Sequence, residues 1–337
     1  FHDHLFVITT LCPKTDAVIS NIFGIGWYAR CFYLRALKFP SVINFIKDNY
    51  HYWIPQGKSF AIIAKRDKQI IKEPSREISV KVGAVVERAV NLSNPDKTIH
   101  IEAKKEGWFV YLTKNPGLGG FPEGSQGRAI ALLSGGIDSP VASYLIMKKG
   151  VTNIWLHFHS YPLSSDTSME KVKKLAQQFT CWQKEIKLCL VPFSDIQSII
   201  KLNTDAKLRV LLYRRYMIRL ACLLAREERA SALISGESLG QVSSQTLGNL
   251  ALTNGIANIP ILRPLIAMDK GEIISLAKKI NSYKTSILPQ EDCCTFYVPK
   301  HQTANGKIGQ LQVAEKLIDK KIDLKKIAKQ KEIIIYR

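Results

Sequence analysis

Leu133-Ser134-Gly135-Gly136-Ile137-Asp138-Ser139-Pro140 is the stretch of sequence that decides the fold. It joins an apolar run typical of a buried strand to a segment whose apolar spacing predicts a helix. Its two glycines allow a tight turn and the close approach of a ligand. Asp138 or Ser139 can cap the helix, and Pro140 falls in the first turn, where proline is tolerated. The free N–H groups and positive dipole end of such a helix favour an anion, so the stretch predicts a phosphate-binding turn.

The lysine that the GxxxxGK[ST] motif requires after its second glycine is missing from this stretch, and the chain contains no GxGxxG. An ordinary strand-to-helix turn therefore remains an alternative for the short string Ser134–Ile137 alone. The surrounding pattern decides between the two interpretations.

Predicted strands and helices alternate from this turn onward. The strands are predicted at 129–133, 153–158, 187–192 and 232–234, and the helices at 139–149, 169–179 and 206–229. Strands this apolar, alternating with helices, imply a parallel sheet that is covered on both faces. The predicted fold class is therefore α/β, with a doubly wound parallel sheet.

The residues before the turn have a different, mixed α and β pattern. A short helix is predicted near 16–23, strands at 59–65, 98–102 and 108–112, and a helix at 78–90. The Glu106-Gly107 step predicts a hairpin turn. Glycine and proline are dense from Asn115 to Gly127, which marks a linker or functional loop. The predicted domains are 1–33, 34–114, 115–310 and a basic helical tail, 311–337.

The chain of 337 residues carries a net charge of +20, from 48 basic and 28 acidic residues. This excess favours a polyanionic partner, and nucleic acid before acidic lipid, because no basic amphipathic anchor stands out. A lysine-rich solvated surface is the alternative. No apolar run is long enough to span a bilayer. The chain begins with Phe1 rather than methionine, so we expect that residues are missing before it.

The seven cysteines are Cys12, Cys31, Cys181, Cys189, Cys222, Cys293 and Cys294. Their number is odd and no CxxC pair occurs, which argues against a structural zinc site. We expect a reducing, cytoplasmic location. Adjacent cysteines such as Cys293 and Cys294 rarely bond to each other, so a local structural disulfide explains this pair poorly. The other five lie in apolar segments and are interpreted as packing residues.

The string Ser134–Pro140 resembles the PP-loop of the ATP pyrophosphatase superfamily. More specifically, five separated strings resemble the tRNA 4-thiouridine synthetases. These are Gly117–Gly150, Ile154–Pro162, Ile234–Leu250, Arg263–Ile274 and Glu291–His301. Residues 34–113 resemble a THUMP domain, an RNA-binding module, and the residues before them resemble the end of a small ferredoxin-like domain.

The resemblance implies ATP and Mg²⁺ as cofactors. The residues implied in pyrophosphate binding are Ser134, Gly135, Gly136, Asp138 and Ser139, with Asp138 also near Mg²⁺. Those implied around the adenosine are Leu132, Leu133, His157 and Phe158, and those completing the ATP site are Arg214, Gly236 and Gln245. A helix-surface charge is the alternative for Arg214, and a satisfied core histidine is the alternative for His157.

The resemblance also implies that Cys294, with Cys293 as the second choice, carries sulfur as a persulfide. With Asp138 these are the predicted catalytic residues. The acidic neighbours Glu291 and Asp292 would not lower the pKa of either thiol. Too few residues follow His301 for the rhodanese-like domain of some relatives, so we expect a cysteine desulfurase to be the persulfide donor.

The expected RNA partner is tRNA, with backbone contacts from Lys65, Arg66, Lys81 and Arg88. A solvated lysine face is the alternative for each of these side chains. A sulfur-carrier protein and a homodimer remain open as further partners.

The predicted reaction is ATP-dependent formation of 4-thiouridine at position eight of tRNA, by adenylation of uridine O4 and sulfur transfer. Sulfuration of a carrier protein for the thiazole of thiamine is implied for some relatives. Two alternatives stay open: another PP-loop adenylating tRNA-modifying enzyme, and a tRNA-binding protein with an inactive nucleotide site.

Overall fold

The computed structural model of the chain describes residues 7, 13–35, 38–242, 245–289, 303 and 306–337. The chain forms two compact units, a smaller one of residues 25–117 and a larger one of residues 1–24 with 118–337. The chain passes between them twice, after Gly24 and after Gly117, and the second passage lies inside the segment rich in glycine and proline. Within the described ranges, no helix combines the length and apolar character needed to cross a membrane.

The first elements in chain order are α1 (Pro13–Ile19), β1 (Trp27–Tyr28), β2 (Cys31–Arg35), α2 (Phe39–Trp53), β3 (Phe60–Arg66), α3 (Ser75–Gly83), β4 (Lys97–Lys104), β5 (Gly107–Tyr111) and β6 (Asn115–Pro116). Next come β7 (Arg128–Leu132), α4 (Asp138–Met147), β8 (Thr152–His159), α5 (Thr167–Phe179), β9 (Ile186–Pro192), α6 (Ser194–Asn203), α7 (Arg209–Glu227) and β10 (Ala232–Ile234). The last are α8 (Leu247–Asn254), β11 (Ile261–Leu262), α9 (Lys270–Lys279), α10 (Tyr283–Ser286), α11 (Ile308–Ile318), α12 (Leu324–Lys329) and β12 (Glu332–Tyr336).

The smaller unit contains a four-stranded sheet in the order β2-β5-β4-β3. Strands β3 and β4 are parallel, and the other neighbours are antiparallel. The predicted hairpin is confirmed as β4 and β5. Its turn needs Gly107, whose φ is +145° and whose added Cβ would lie 2.6 Å from the Leu34 carbonyl oxygen. Apolar residues of α2 and α3 complete the core against one face of the sheet.

Two sequence expectations in the smaller unit need correction. Helix α3 ends at Gly83 rather than continuing to Val90. Beyond the helix, Val90 instead forms a parallel β-bridge with Phe60 at the start of β3. Strand β2 pairs along its length with β5, so residues 31–33 belong to this sheet and not to a preceding domain.

The larger unit is built on a six-stranded sheet in the order β11-β10-β7-β8-β9-β12. The first five strands are parallel, and β12 runs antiparallel to β9. Two apolar cores cover its faces, one with helices α6, α7, α11 and α12 and the other with α4, α5 and α9. The predicted doubly wound α/β fold is confirmed. The strand order reverses between β7 and β10, the place where open α/β sheets bind ligands.

Residues 306–337, which include the predicted basic helical tail at 311–337, are an integral part of the larger unit. Leu311, Ile318 and Ile327 are buried in the core on one face of the sheet. Strand β12 extends the sheet beyond β9. In this segment, apolar residues at helical and strand spacing alternate with many lysines. Burial of the apolar side chains stabilises the packed state, although the lysines favour contact with water.

At the other end of the chain, residues 13–24 also belong to the larger unit. The ring of Phe23 is buried and lies 5.5 Å from the ring of Tyr144 in α4. The larger unit is thus assembled from two stretches of chain that flank the smaller unit in sequence.

Candidate functional site

The predicted phosphate-binding turn lies between the end of β7 and the start of α4. Gly135 has a φ of +80°, a conformation that favours glycine. The Ser134 N–H donates to the Ser139 hydroxyl at 3.1 Å, which closes the turn. The prediction that Asp138 or Ser139 caps α4 is wrong, because the cap residue is Ile137 and makes no side-chain cap bond. The first N–H groups of α4 are thus left for a ligand or water.

Gly236 lies against the start of α4. A Cβ added there would lie 2.8 Å from the Ser139 nitrogen and 2.9 Å from the Asp138 carbonyl carbon. Only glycine lets the chain after β10 approach the turn this closely. The ends of β7 and β10, the two strands between which the strand order reverses, therefore meet at the turn. We call this place the switch point.

A cavity of about 280 Å³ opens at this switch point. The predicted site residues that line it are Leu132, Leu133, Ser134, Asp138, Ser139, His157, Phe158, Arg214, Gly236 and Gln245. Gly135 and Gly136 belong to the adjoining turn and do not line it. The lining residues that sequence reasoning missed are Leu156, Met217, Ile218, Ser235, Glu237 and Ile261. Three of these six, Leu156, Met217 and Ile218, are apolar and lie in β8 and α7 beside predicted residues, so the residue spacing within that strand and helix is the signal that could have found them.

His157 is a buried neutral side chain in the cavity wall. Its Nδ1–H donates to the Leu133 carbonyl oxygen at 2.7 Å, and Nε2 then accepts from the Ser168 hydroxyl at 3.3 Å. Burial lowers the pKa of His157 to about 4. The imidazole is therefore uncharged near neutral pH. It lines the cavity wall with both ring nitrogens hydrogen-bonded, which matches the alternative of a satisfied core histidine. Its predicted contact with adenosine stays a prediction.

Arg214 belongs to a group of three charged side chains at the cavity. Its Nη1 donates to one oxygen of Glu237 at 2.9 Å, and Nε of Arg263 donates to the other oxygen at 2.7 Å. All three side chains are mostly buried. Two guanidinium groups around one carboxylate leave a net positive charge, which suits a phosphate-bearing ligand.

Asp138 is held from two sides at the first turn of α4. The Lys270 ammonium donates to its Oδ1 at 2.6 Å, and the Gln241 amide donates to its Oδ2 at 3.1 Å. Lys270 is the first residue of α9, and Asp269 and Glu272 fix the start of that helix with a capping box. Sequence reasoning missed Lys270, although it lies within the string Arg263–Ile274. The pair places a cation beside the phosphate-binding turn.

Among the described residues, Asp138 is the carboxylate of the predicted set that could bind a metal ion at this turn. The described part of the chain contains no group of three or more His, Cys, Asp and Glu side chains able to hold one. Asp138 can supply one carboxylate, which suits Mg²⁺ bound largely through phosphate oxygens and water.

Cys293 and Cys294 lie outside the described residues, as do Glu291, Asp292 and Cys12. Among the other cysteines, Cys189 is buried as predicted, and burial raises its pKa to about 11. Cys31 and Cys181 are exposed, which corrects their interpretation as packing residues. Partial burial still raises the pKa of both thiols, so neither favours the reactive thiolate.

The four residues predicted to contact tRNA have different surroundings in the smaller unit. Arg66 and Arg88 each donate to backbone carbonyl oxygens of their own unit, which are local structural bonds. Lys81 pairs with a glutamate one helical turn earlier. Lys65 is exposed on β3. Of the four, Lys65 is the most available for a phosphate contact, and all four assignments stay predictions.

Known proteins with similar sequences and structures are named as tRNA-modifying enzymes. A probable tRNA sulfurtransferase of Moorella thermoacetica is 42% identical over 288 residues, which is 84% of this chain and 72% of that protein. One of Clostridium botulinum is 38% identical over 98% of this chain and 87% of that protein. A crystal structure of a 4-thiouridine synthetase–RNA complex with bound ATP is 30% identical, with a TM-score of 0.89 over 98% of this chain and 88% of that one.

The parallel sheet with its turn and cavity, joined to the smaller α/β unit, defines a PP-loop nucleotide-binding protein. Residues 124–319 match the family described as thiamine biosynthesis protein (ThiI), and residues 49–113 match the THUMP domain. The chain therefore belongs to the tRNA sulfurtransferase, or 4-thiouridine synthetase, family.

Proposed function

We propose that this enzyme converts uridine at position eight of tRNA to 4-thiouridine at the expense of ATP. The cavity between the ends of β7 and β10 carries the proposal, because it brings the phosphate-binding turn, an apolar wall and the Arg214 guanidinium to one place. The similar 4-thiouridine synthetase, which is bound to RNA and ATP, supports tRNA and ATP as the substrates of this chain.

The residues of the cavity fit ATP with Mg²⁺. The turn and the N-terminal end of α4 would bind the phosphates of the leaving pyrophosphate, with Lys270 and Arg214 adding positive charge. Leu132 and Phe158 supply apolar surface for the adenine ring. Asp138 would hold Mg²⁺, which when bound neutralises charge on the phosphates.

In the first proposed step, uridine O4 attacks the α-phosphorus of ATP. The O4–P bond forms, the bond to pyrophosphate breaks, and the base loses its N3 proton. The protein contributes by positioning the two reactants and by stabilising charge on the phosphates. The product is a base whose C4 carries AMP as a leaving group.

In the second proposed step, the outer sulfur of a persulfide on Cys294 attacks C4. The C4–S bond forms, the C4–O bond breaks and AMP leaves. A second thiol then attacks the remaining S–S bond, is oxidised to a disulfide, and releases 4-thiouridine. Cys293 is the second choice for the persulfide.

We further propose a cysteine desulfurase as the persulfide donor. Sulfur transfer to a carrier protein for thiamine synthesis is a second candidate activity, which the description of the matching family supports. A homodimer remains a proposal for the assembly.

The test is sulfur incorporation into unmodified tRNA transcript with ATP, Mg²⁺ and a sulfide or desulfurase source, read by the near-ultraviolet absorbance of 4-thiouridine. We expect product from the wild type and none from Asp138→Ala or Cys294→Ser. Cys181→Ser, at an exposed cysteine of the larger unit, is the matched control and should retain activity. Intact tRNA binding without product would favour an inactive nucleotide site or a different modified base.

A further inference from the structure

The carboxylate of Glu237 is shared by two arginines that come from different parts of the larger unit. One oxygen accepts from Nη1 of Arg214 in α7 at 2.9 Å, and the other accepts from Nε of Arg263, which follows β11, at 2.7 Å. Arg214 and Glu237 line the cavity at the switch point. In the described structure, Arg263 thus contacts a lining residue without lining the cavity itself.

A negative side chain in the wall of a phosphate-binding cavity needs a physical reason. A carboxylate repels phosphate oxygens, and burial strengthens the repulsion because it lowers the effective dielectric constant. Both oxygens of Glu237 accept from guanidinium groups, and its side chain is mostly buried. This arrangement fits a carboxylate that holds cationic groups in place rather than one that contacts the ligand.

Arg263 is fixed by contacts besides its ion pair. Its Nη1 donates to Oδ1 of Asn254, the last residue of α8, at 3.3 Å. Its carbonyl oxygen accepts from the Ile266 N–H at 3.2 Å, which closes a turn after β11. Its side chain is 13% exposed. Arg263 therefore offers Glu237 a partner that is held through both backbone and side chain.

Arg214 benefits from such support because its side chain is long and flexible. Holding it in one conformation costs rotamer entropy, and a contact made before the ligand arrives removes part of that cost from the binding step. The charge balance of the group matters as well. With Arg263 present the three side chains carry a net positive charge, whereas without it the Arg214 guanidinium would neutralise Glu237 instead of a phosphate.

We infer that Arg263 is a positioning residue for ATP binding, which acts through Glu237 on Arg214. It keeps Glu237 in the orientation and charge balance that leave the Arg214 guanidinium available to the phosphates. The inference rests on the proposed function, since ATP is the ligand proposed there for the cavity.

The test measures the Kd of ATP with Mg²⁺ for the full chain by calorimetric titration. Arg263→Met should raise the Kd by about tenfold, and Arg263→Lys, which keeps the charge, by about threefold. In an Arg214→Met background the same Arg263→Met change should alter the Kd by less than about twofold, because the group through which it acts is gone. A general loss of structure, or a long-range effect of the lost charge, would instead give the same factor in both backgrounds.

Lys187→Met is the matched control. Lys187 lies in β9 and forms a partly buried ion pair with Glu228 at 2.6 Å, away from the residues that line the cavity. Its replacement removes an ion pair and a positive charge, and the Kd should stay unchanged. Near-ultraviolet circular dichroism reports the fold of each variant, and Arg263→Lys replaces Arg263→Met in the comparison if the latter lacks the native spectrum.

Three outcomes overturn the inference. They are an unchanged Kd in a folded Arg263 variant, an equal factor in the two Arg214 backgrounds, and an equal loss in Lys187→Met. Wild-type protein that does not bind ATP means that the proposed function itself fails, which is distinct from binding without coupling between Arg263 and Arg214.

Discussion

His157 predicts a specific loss of stability in mild acid. Its imidazole is fully buried between Leu133 and Ser168, and burial lowers its pKa to about 4 in the folded protein. The ordinary histidine pKa is about 6.5, so the unfolded chain binds the proton more readily. The stabilising contribution is therefore complete above about pH 6.5 and is lost as the pH falls toward 4.

The magnitude follows from the two pKa values. The difference is about 2.5 pKa units, and each unit corresponds to about 1.4 kcal/mol, so the full loss is about 3.5 kcal/mol, of which about 3 kcal/mol is reached by pH 4. The matched variant is His157→Asn, because its amide can still donate to the Leu133 carbonyl oxygen but does not titrate in this range.

The assay is urea unfolding at several pH values between 7.5 and 4, read by intrinsic tryptophan fluorescence, to which Trp155 and Trp182 of the larger unit contribute. The unfolding free energy of the wild type minus that of His157→Asn should fall by about 3 kcal/mol across this range. His159, whose pKa burial also lowers, is present in both proteins, so the effect of its own burial cancels in the difference and only its repulsion of a charged His157 remains. Two parallel stability curves would refute a neutral, buried His157.

The remaining predictions concern the cavity and the core. Gly236→Ala, which puts a methyl group against the start of α4, should weaken ATP binding by about tenfold or more in calorimetric titration; unchanged affinity would contradict the tight approach. Lys270→Met should weaken ATP binding by about tenfold at low salt and less at high salt, because it removes the cation beside Asp138; a salt-independent effect would argue against a charge role. Arg215→Met should destabilise the larger unit by about 3 kcal/mol in urea unfolding, because the buried Glu315 loses a bidentate ion pair and keeps only its contact with Arg219; a loss below about 1 kcal/mol would contradict this.

The parallel sheet and the phosphate-binding turn could be predicted because their signals are local. The apolar strands alternate with helical patterns, and the turn lies directly between a strand and a helix. The helix predicted at 78–90 was too long because the spacing of its valines fits a helix, whereas Val90 pairs with Phe60. Only a long-range partner decides between these conformations.

The ion pairs that hold the cavity residues Asp138 and Glu237 in place could not be predicted from the local sequence pattern. Lys270 meets Asp138 across 132 positions of the chain, and Arg263 meets Glu237 across 26. Periodicity carries no information about such partners. The same limit applies to the predicted basic helical tail at 311–337, because its lysines gave no indication that its apolar residues complete the core and the sheet.

The integration of residues 306–337 has a consequence for synthesis of the protein. Arg215 and Glu315 form a buried ion pair although 100 positions separate them, and the paired residues of β9 and β12 are 142 to 150 positions apart in sequence. While a ribosome is still translating this last segment, the outer edge of β9 is uncovered and the Arg215 charge lacks its partner. The larger unit therefore cannot reach its native packing until nearly the whole of its chain has emerged, whereas residues 25–117 have all their sheet partners much earlier. Chaperone contact during translation should then concentrate on the nucleotide-binding unit.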